Sequence, residues 1–135
     1  MKVGAGLSNL LLLAASFGWL SAIAANPPVQ KKTATALNFA RDVLPILSDK
    51  CFQCHGPDSG SRMANLRLDK TESAFSERDG RWAIVPGKPQ KSLVVQRINH
   101  PATPMPPRES GKKLSKLEIA TLTQWIAEGA IYGKH

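Results

Sequence analysis

The sequence predicts an all-α domain of about three to five short helices joined by long loops. Two apolar stripes and the placement of the prolines predict it. Phe39, Val43, Ile46 and Leu47 recur close to the helical period, and so do Ile119, Leu122, Trp125 and Ile126 near the other end. Between the stripes, most of the ten prolines cut the chain into short pieces. A chain of 135 residues suffices for one such domain and not comfortably for two.

The first 24 residues stand apart. They hold one charge, Lys2, then an apolar run centred on Leu10 to Ala15, then Ser21-Ala22-Ile23-Ala24. A basic start, an apolar middle and an Ala-x-Ala end are the layout of a secretory signal peptide. Ser8, Asn9, Ser16 and Gly18 dilute the run, whereas a membrane span wants about 20 well-filled apolar positions, so an uncleaved anchor is the lesser reading. The expectation is a signal peptide over 1–24, a flexible leader over 25–37, and one domain over 38–135. The chain is then periplasmic or otherwise exported, with membrane association only if the signal is kept.

Within the domain, Asn38 is a good cap for the first helix. Pro45 should kink that helix or end its first part. Gly56 to Gly60 is a turn, Leu66 to Asp69 and Ser73 to Phe75 are short strand or helix pieces, and Ala83 to Pro89 is a turn-rich loop. Ser92 caps a short helix through Ile98. Four prolines within Pro101 to Pro107 forbid helix there. Ser115 and Glu118 form an S-x-x-E capping box for the last helix, and Gly129 ends it.

Cys51 and Cys54 are the only cysteines, too close in sequence to close a useful disulfide loop. They stand in Cys51-Phe52-Gln53-Cys54-His55, the C-x-x-C-H pattern of c-type haem attachment. Two thiols one helical turn apart match the spacing of two porphyrin vinyl groups, and the next residue carries an imidazole under the iron. A thioredoxin-like redox pair would want a βαβ context. A zinc site would need more ligands than two cysteines and a histidine. The cofactor expected is one haem c, held by thioethers at Cys51 and Cys54 and ligated by His55.

A second axial ligand is best sought at Met105, in Thr103-Pro104-Met105-Pro106-Pro107, where flanking prolines stiffen the backbone. His100 and Met63 are the alternatives. Trp125 belongs to an apolar stripe and is read as core, packed on the first helix or the haem. Arg67 and Trp82 are candidate donors to a haem propionate, with a surface salt bridge the plainer role for Arg67.

The ordered motifs carry a resemblance. Phe39-Ala40-Arg41-Asp42-Val43-Leu44-Pro45-Ile46-Leu47, Cys51-x-x-Cys54-His55-Gly56-Pro57, Leu66-Arg67-Leu68-Asp69, Ile84-Val85-Pro86-Gly87-Lys88-Pro89, Ser92-Leu93, Met105-Pro106-Pro107, Gly111 to Ser115 and Trp125 to Ala130 follow one another as in the planctomycete-type cytochrome c domain. The chain resembles that family from residue 38 to about residue 132. The resemblance implies a small cytochrome c-like fold around one covalent haem, with Cys51, Cys54 and His55 in the roles above and Met105 opposite His55. Ala64-Asn65 stands where the family often has a Gly pair, and Arg108 where it often has a third Pro. The domain usually opens a much longer protein.

The net charge of +8 attracts an exported domain to acidic partners, and Arg108, Lys112, Lys113 and Lys116 are the candidate docking cluster. Nucleic acid is not expected as a partner, since export removes the chain from it. The function expected is a single-electron carrier between redox proteins, not an enzyme. A haem-bearing module of a larger complex is the alternative, and a peroxidase-like enzyme, for want of a convincing distal acid–base pair, a more distant one.

Overall fold

The computed structural model describes residues 36–133. The expected signal peptide and all of the leader before residue 36 lie outside the described residues.

The chain enters helix at Asn38, whose Oδ1 accepts from the Arg41 N–H at 3.0 Å, while the Asp42 carboxylate accepts the Asn38 N–H at 2.8 Å. A π turn, Phe39–Val43, comes first. The Leu44 N–H reaches back five residues to the Phe39 carbonyl, and regular helix α1 (Leu44–Lys50) starts there with Pro45 in its first turn. Pro45 has no N–H to offer, and the wide turn before it absorbs that loss where a regular helix would break. After a break at Cys51 comes the single turn α2 (Phe52–His55).

The next helix is α3 (Thr71–Phe75), so Ser73 to Phe75 is helical, whereas Leu66 to Asp69 is neither strand nor helix. Two short strands follow, β1 (Glu77–Arg78) and β2 (Arg81–Trp82), paired antiparallel. The all-α expectation is corrected here: the domain is mostly helical with one small hairpin. Asp79 (φ 52°) and Gly80 (φ 74°) give the two left-handed residues that a two-residue hairpin loop requires, and Asp-Gly is a favoured pair for it.

A 3₁₀ turn, Pro89–Lys91, leads into α4 (Leu93–Ile98). Ser92 precedes α4 but does not cap it by its side chain. It is fully buried, and its Oγ accepts the Val85 N–H at 2.8 Å and donates to the Lys88 carbonyl at 3.1 Å, pinning the 85–88 turn instead. The Pro-rich segment after α4 is irregular, apart from a 3₁₀ turn, Arg108–Ser110.

Helix α5 (Lys116–Ala127) has its full capping box: the Glu118 N–H meets Ser115 Oγ at 3.2 Å and Glu118 Oε2 accepts the Ser115 N–H at 2.6 Å. At the other end Ala130 N–H bonds the Trp125 carbonyl and Gly129 N–H the Ile126 carbonyl, a Schellman termination with Gly129 at φ 105°.

The two stripes meet. Phe39, Val43 and Leu47 share one buried cluster with Leu122, Trp125 and Ile126. Trp125 stacks 5.7 Å from Phe39 and donates its Nε1–H to the Ile131 carbonyl. Tyr132 closes the group, 4.8 Å from Phe39 and 5.2 Å from Trp125, with its hydroxyl on the Leu68 carbonyl. Among the described residues no helix is long and apolar enough to cross a membrane.

The capping box should be measurable in urea. Ser115→Ala is expected to cost about 1 kcal/mol. Glu118→Gln keeps an acceptor but loses the charge. The Ser115 N–H holds the Glu118 carboxyl below its ordinary 4.5, so the stabilisation is present above that value and lost as pH falls through the lowered one. The gap between the native chain and Glu118→Gln is therefore expected to close on acidification; a gap that stays constant from neutral pH to about pH 3 contradicts the charge-assisted cap.

Candidate functional site

Cys51, Cys54 and His55 share one turn hung on the end of α1. The Cys51 N–H completes α1 by bonding the Leu47 carbonyl at 2.9 Å, and the Cys51 carbonyl accepts from both Cys54 N–H (3.1 Å) and His55 N–H (2.8 Å). Both cysteines are free thiols, half-buried. Burial pushes the Cys51 thiol up to about 12, with the Asp49 carboxylate adding and Lys112 opposing. A redox dithiol needs the opposite shift, toward an accessible thiolate.

His55 is half-buried, and burial lowers its imidazole pKa, with the Met63 backbone acting the other way. Its Nδ1 is shut off from solvent without a hydrogen-bond partner. A buried orphan nitrogen costs about 1–3 kcal/mol in a finished site, so this ring is suited to a partner beyond the chain's own side chains. Neutral imidazole is also the metal-binding form.

The following loop folds back on this turn. Met63 N–H bonds the Cys54 carbonyl at 2.7 Å, and Leu68 N–H the His55 carbonyl at 2.8 Å. Arg62 ties down the Gly56 and Pro57 carbonyls, at 3.1 and 2.7 Å. Gly56 is buried, and a Cβ there would lie 2.3 Å from the Phe52 carbonyl oxygen. Its backbone is extended, so space alone demands glycine. Ala64 (φ 53°) and Asn65 (φ 47°) are both left-handed, which is why a Gly pair suits this place. Met63 is 61% exposed, so its contribution to the turn is its backbone.

Met105 is half-buried and lies in a separately tethered loop. Its N–H bonds the Arg97 carbonyl at the end of α4, at 3.0 Å, and its bond to Pro106 is cis. His100 shapes the same loop: its Nδ1 accepts the Thr103 N–H at 3.0 Å and the Ala102 N–H at 3.3 Å. Arg97 holds Thr103 Oγ1 at 3.1 Å. Further on, Lys112 Nζ binds the Asp49 carbonyl and, at 3.0 Å, its carboxylate, which returns the loop to the end of α1. The structure thus gathers Cys51, Cys54 and His55 on one turn and fixes Met105 through α4 and, by Lys112, α1.

Other sequence candidates take structural roles. Arg67 is clamped to Asp69 by Nε at 3.0 Å and by its NH2 group, the salt-bridge role. Trp125 is core, as expected. Lys112 and Arg108 are partly spent inside the domain, Arg108 on the Pro101 carbonyl at 2.9 Å. Sequence reasoning missed Tyr132, whose hydroxyl buttresses Leu68 directly behind the His55 clamp. It also missed the tight fit at Gly56.

A Cys pair separated by two residues, a following histidine with an orphaned nitrogen, and a mostly helical frame are the features that c-type haem attachment requires. Residues 51–109 match the profile of the family described as Planctomycete cytochrome C, which bears out the resemblance read from the sequence. The matched span runs from the Cys51 turn through the Met105 loop and covers less than half of the chain. The family points to an electron carrier rather than an enzyme, and with the Cys51–Cys54 pair it implies covalent haem c. No curated protein and no solved structure matches the chain.

Two substitutions test this geometry. Gly56→Ala drives a Cβ into backbone, and overpacking of this kind costs about 1–3 kcal/mol. Lower yield of haem-loaded protein and a lower denaturation midpoint are expected. Ala64→Gly relieves a left-handed residue and should raise stability by about 0.5–1 kcal/mol, read as a rise in the urea midpoint. A midpoint that falls shows that the Ala64 conformation carries no strain.

Proposed function

We propose that the chain is an exported cytochrome carrying single electrons on one haem, attached through thioethers at Cys51 and Cys54 with His55 and Met105 as axial ligands. The observation that carries this reading is the Cys51–His55 turn: two free thiols one turn apart beside an imidazole whose buried Nδ1 is unpartnered. Bound haem supplies an iron that alternates between two oxidation states. The chain's own residues hold it and set its surroundings. The thiols fix the ring to the end of α1, and the Met63 and Leu68 clamps keep the His55 backbone from shifting.

Met105 is favoured over His100 because the His100 Nδ1 is already an acceptor for two loop N–H groups, while the Met105 thioether has no such bond among the described residues. A tethered thioether keeps the sixth position filled and raises the potential relative to two nitrogen ligands. A carrier wants a filled position, since nothing need bind the metal. Export is favoured by the signal-like residues 1–24, which place thioether formation where c-type haem is attached. The partners proposed are acidic redox proteins, on account of the +8 charge.

Spectra of the purified haem protein test the reading. A sulfur-to-iron band in the oxidised state, no carbon monoxide binding when reduced, and loss of the band with gain of carbon monoxide binding in Met105→Ala are expected. Ready carbon monoxide binding by the native protein overturns the carrier assignment. A band that survives in Met105→Ala and disappears in Met63→Ala moves the sixth ligand to Met63.

A further inference from the structure

The hairpin and the start of α4 enclose a concavity of about 480 Å³ that touches none of Cys51, Cys54, His55 and Met105. Trp82, on β2, is 39% exposed, an unusual position for the larger of the domain's two described tryptophan surfaces. Arg81, Lys88 and Lys91 line the concavity with it, and Leu93 and Gln96 of α4 contribute from the other side. Among the described residues no acidic one lines it. Among the described residues Arg81, Lys88 and Lys91 have no ion pair and no side-chain hydrogen bond, and the Trp82 indole N–H has no acceptor. Glu77, opposite Trp82 across the hairpin, spends its carboxylate on the Gly80 N–H.

We propose that this concavity docks an acidic segment of a partner protein, with carboxylates on Arg81, Lys88 and Lys91 and one apolar side chain against Trp82. Charge complementarity selects this occupant. Three unpaired cations around an apolar floor attract carboxylates and leave room for a side chain between them. Tryptophan and arginine are the residues that most often carry interface energy, through a large flat surface and a multidentate cation. The cluster expected from the sequence is less suited: Lys112 is bonded to Asp49 and Arg108 to the Pro101 carbonyl. The lysines stand on a loop and a short turn rather than converging on one point, which favours a chain of carboxylates over a single phosphate. This inference does not rest on the identity of the sixth haem ligand.

The test uses the full haem-loaded protein and a synthetic peptide of eight glutamates around one central leucine. Calorimetric titration at low salt is expected to give saturable one-to-one binding that weakens as salt rises. The triple variant R81E/K88E/K91E and the single variant Trp82→Ala are each expected to weaken it about tenfold or more. The variant K70E/K113E/K116E has the same change in charge away from the concavity and is expected to weaken it less than about threefold. Haem absorption and far-ultraviolet circular dichroism check that each variant is folded; should Trp82→Ala fail that check, Trp82→Phe and the two charge variants decide. Equal losses in the two charge variants overturn the proposal, since net charge alone then explains binding. It is also overturned by an unaffected Trp82 variant, by tighter binding of phosphatidylglycerol vesicles than of peptide through the same residues, or by a shift of haem potential in R81E/K88E/K91E without loss of peptide binding. The last outcome would place these cations on a haem propionate.

Discussion

The structure depends on a backbone clamp. α1 ends at Cys51, and a single turn later the chain must leave the helix without letting His55 swing. Two amide donors from the next loop, Met63 and Leu68, take the carbonyls of Cys54 and His55 that a helix end leaves open. Gly56 lets the chain turn away at once because no side chain separates it from Phe52. The clamp is held from behind. Tyr132 grips the Leu68 carbonyl and packs tilted on Phe39 and edge-on to Trp125, so the first and last helical segments support the same loop. Burial and hydrogen bonding act together on Tyr132: burial raises the pKa of its phenol and keeps the donor in place.

The Met105 loop is fixed differently, by three tethers of unlike kind. Arg97 offers its carbonyl to Met105 and its guanidinium to Thr103, His100 offers a ring nitrogen, and Lys112 crosses to Asp49. Prolines reduce the freedom of the unfolded loop, so each tether has less entropy to overcome. A loop held this way returns to one conformation after disturbance.

The parts legible in the sequence are those with local signals. Asn38, Ser115, Glu118 and Gly129 announce helix ends within four residues of the groups they satisfy, and the structure forms each of those bonds. The Cys51–His55 pattern is likewise local, and its turn follows from spacing alone. Other parts are not local. Lys112 and Asp49 are 63 residues apart, and Tyr132 and Leu68 are 64 apart, so no window of sequence contains both partners. The hairpin escaped for another reason. Its strands are two residues each and mostly charged, too short for an alternating pattern, although Asp79-Gly80 carried the turn signal. Ser92 was in the expected place but bonded elsewhere, because a fully buried hydroxyl must satisfy the nearest open backbone, here the 85–88 turn.

The distribution of paired charge completes the picture. Asp42, Asp49, Asp69 and Glu118 are bound to Arg41, Lys50, Lys112, Arg67 or helix-start amides, and all of them serve the first helix, the Cys51–His55 turn, its loop or α5. Acidic residues are the scarcer kind in this chain, ten against eighteen basic ones, so using them for internal order determines where the excess positive charge remains. It remains where no carboxylate pairs with it: the hairpin carries Glu77 and Asp79, but among the described residues neither forms an ion pair with Arg81, Lys88 or Lys91. The same scarcity that ties Lys112 into the domain therefore leaves Arg81, Lys88 and Lys91 free beside Trp82. A carboxylate-bearing surface approaching the domain meets less competition there than at the Lys112 loop, where an internal carboxylate already occupies the cation.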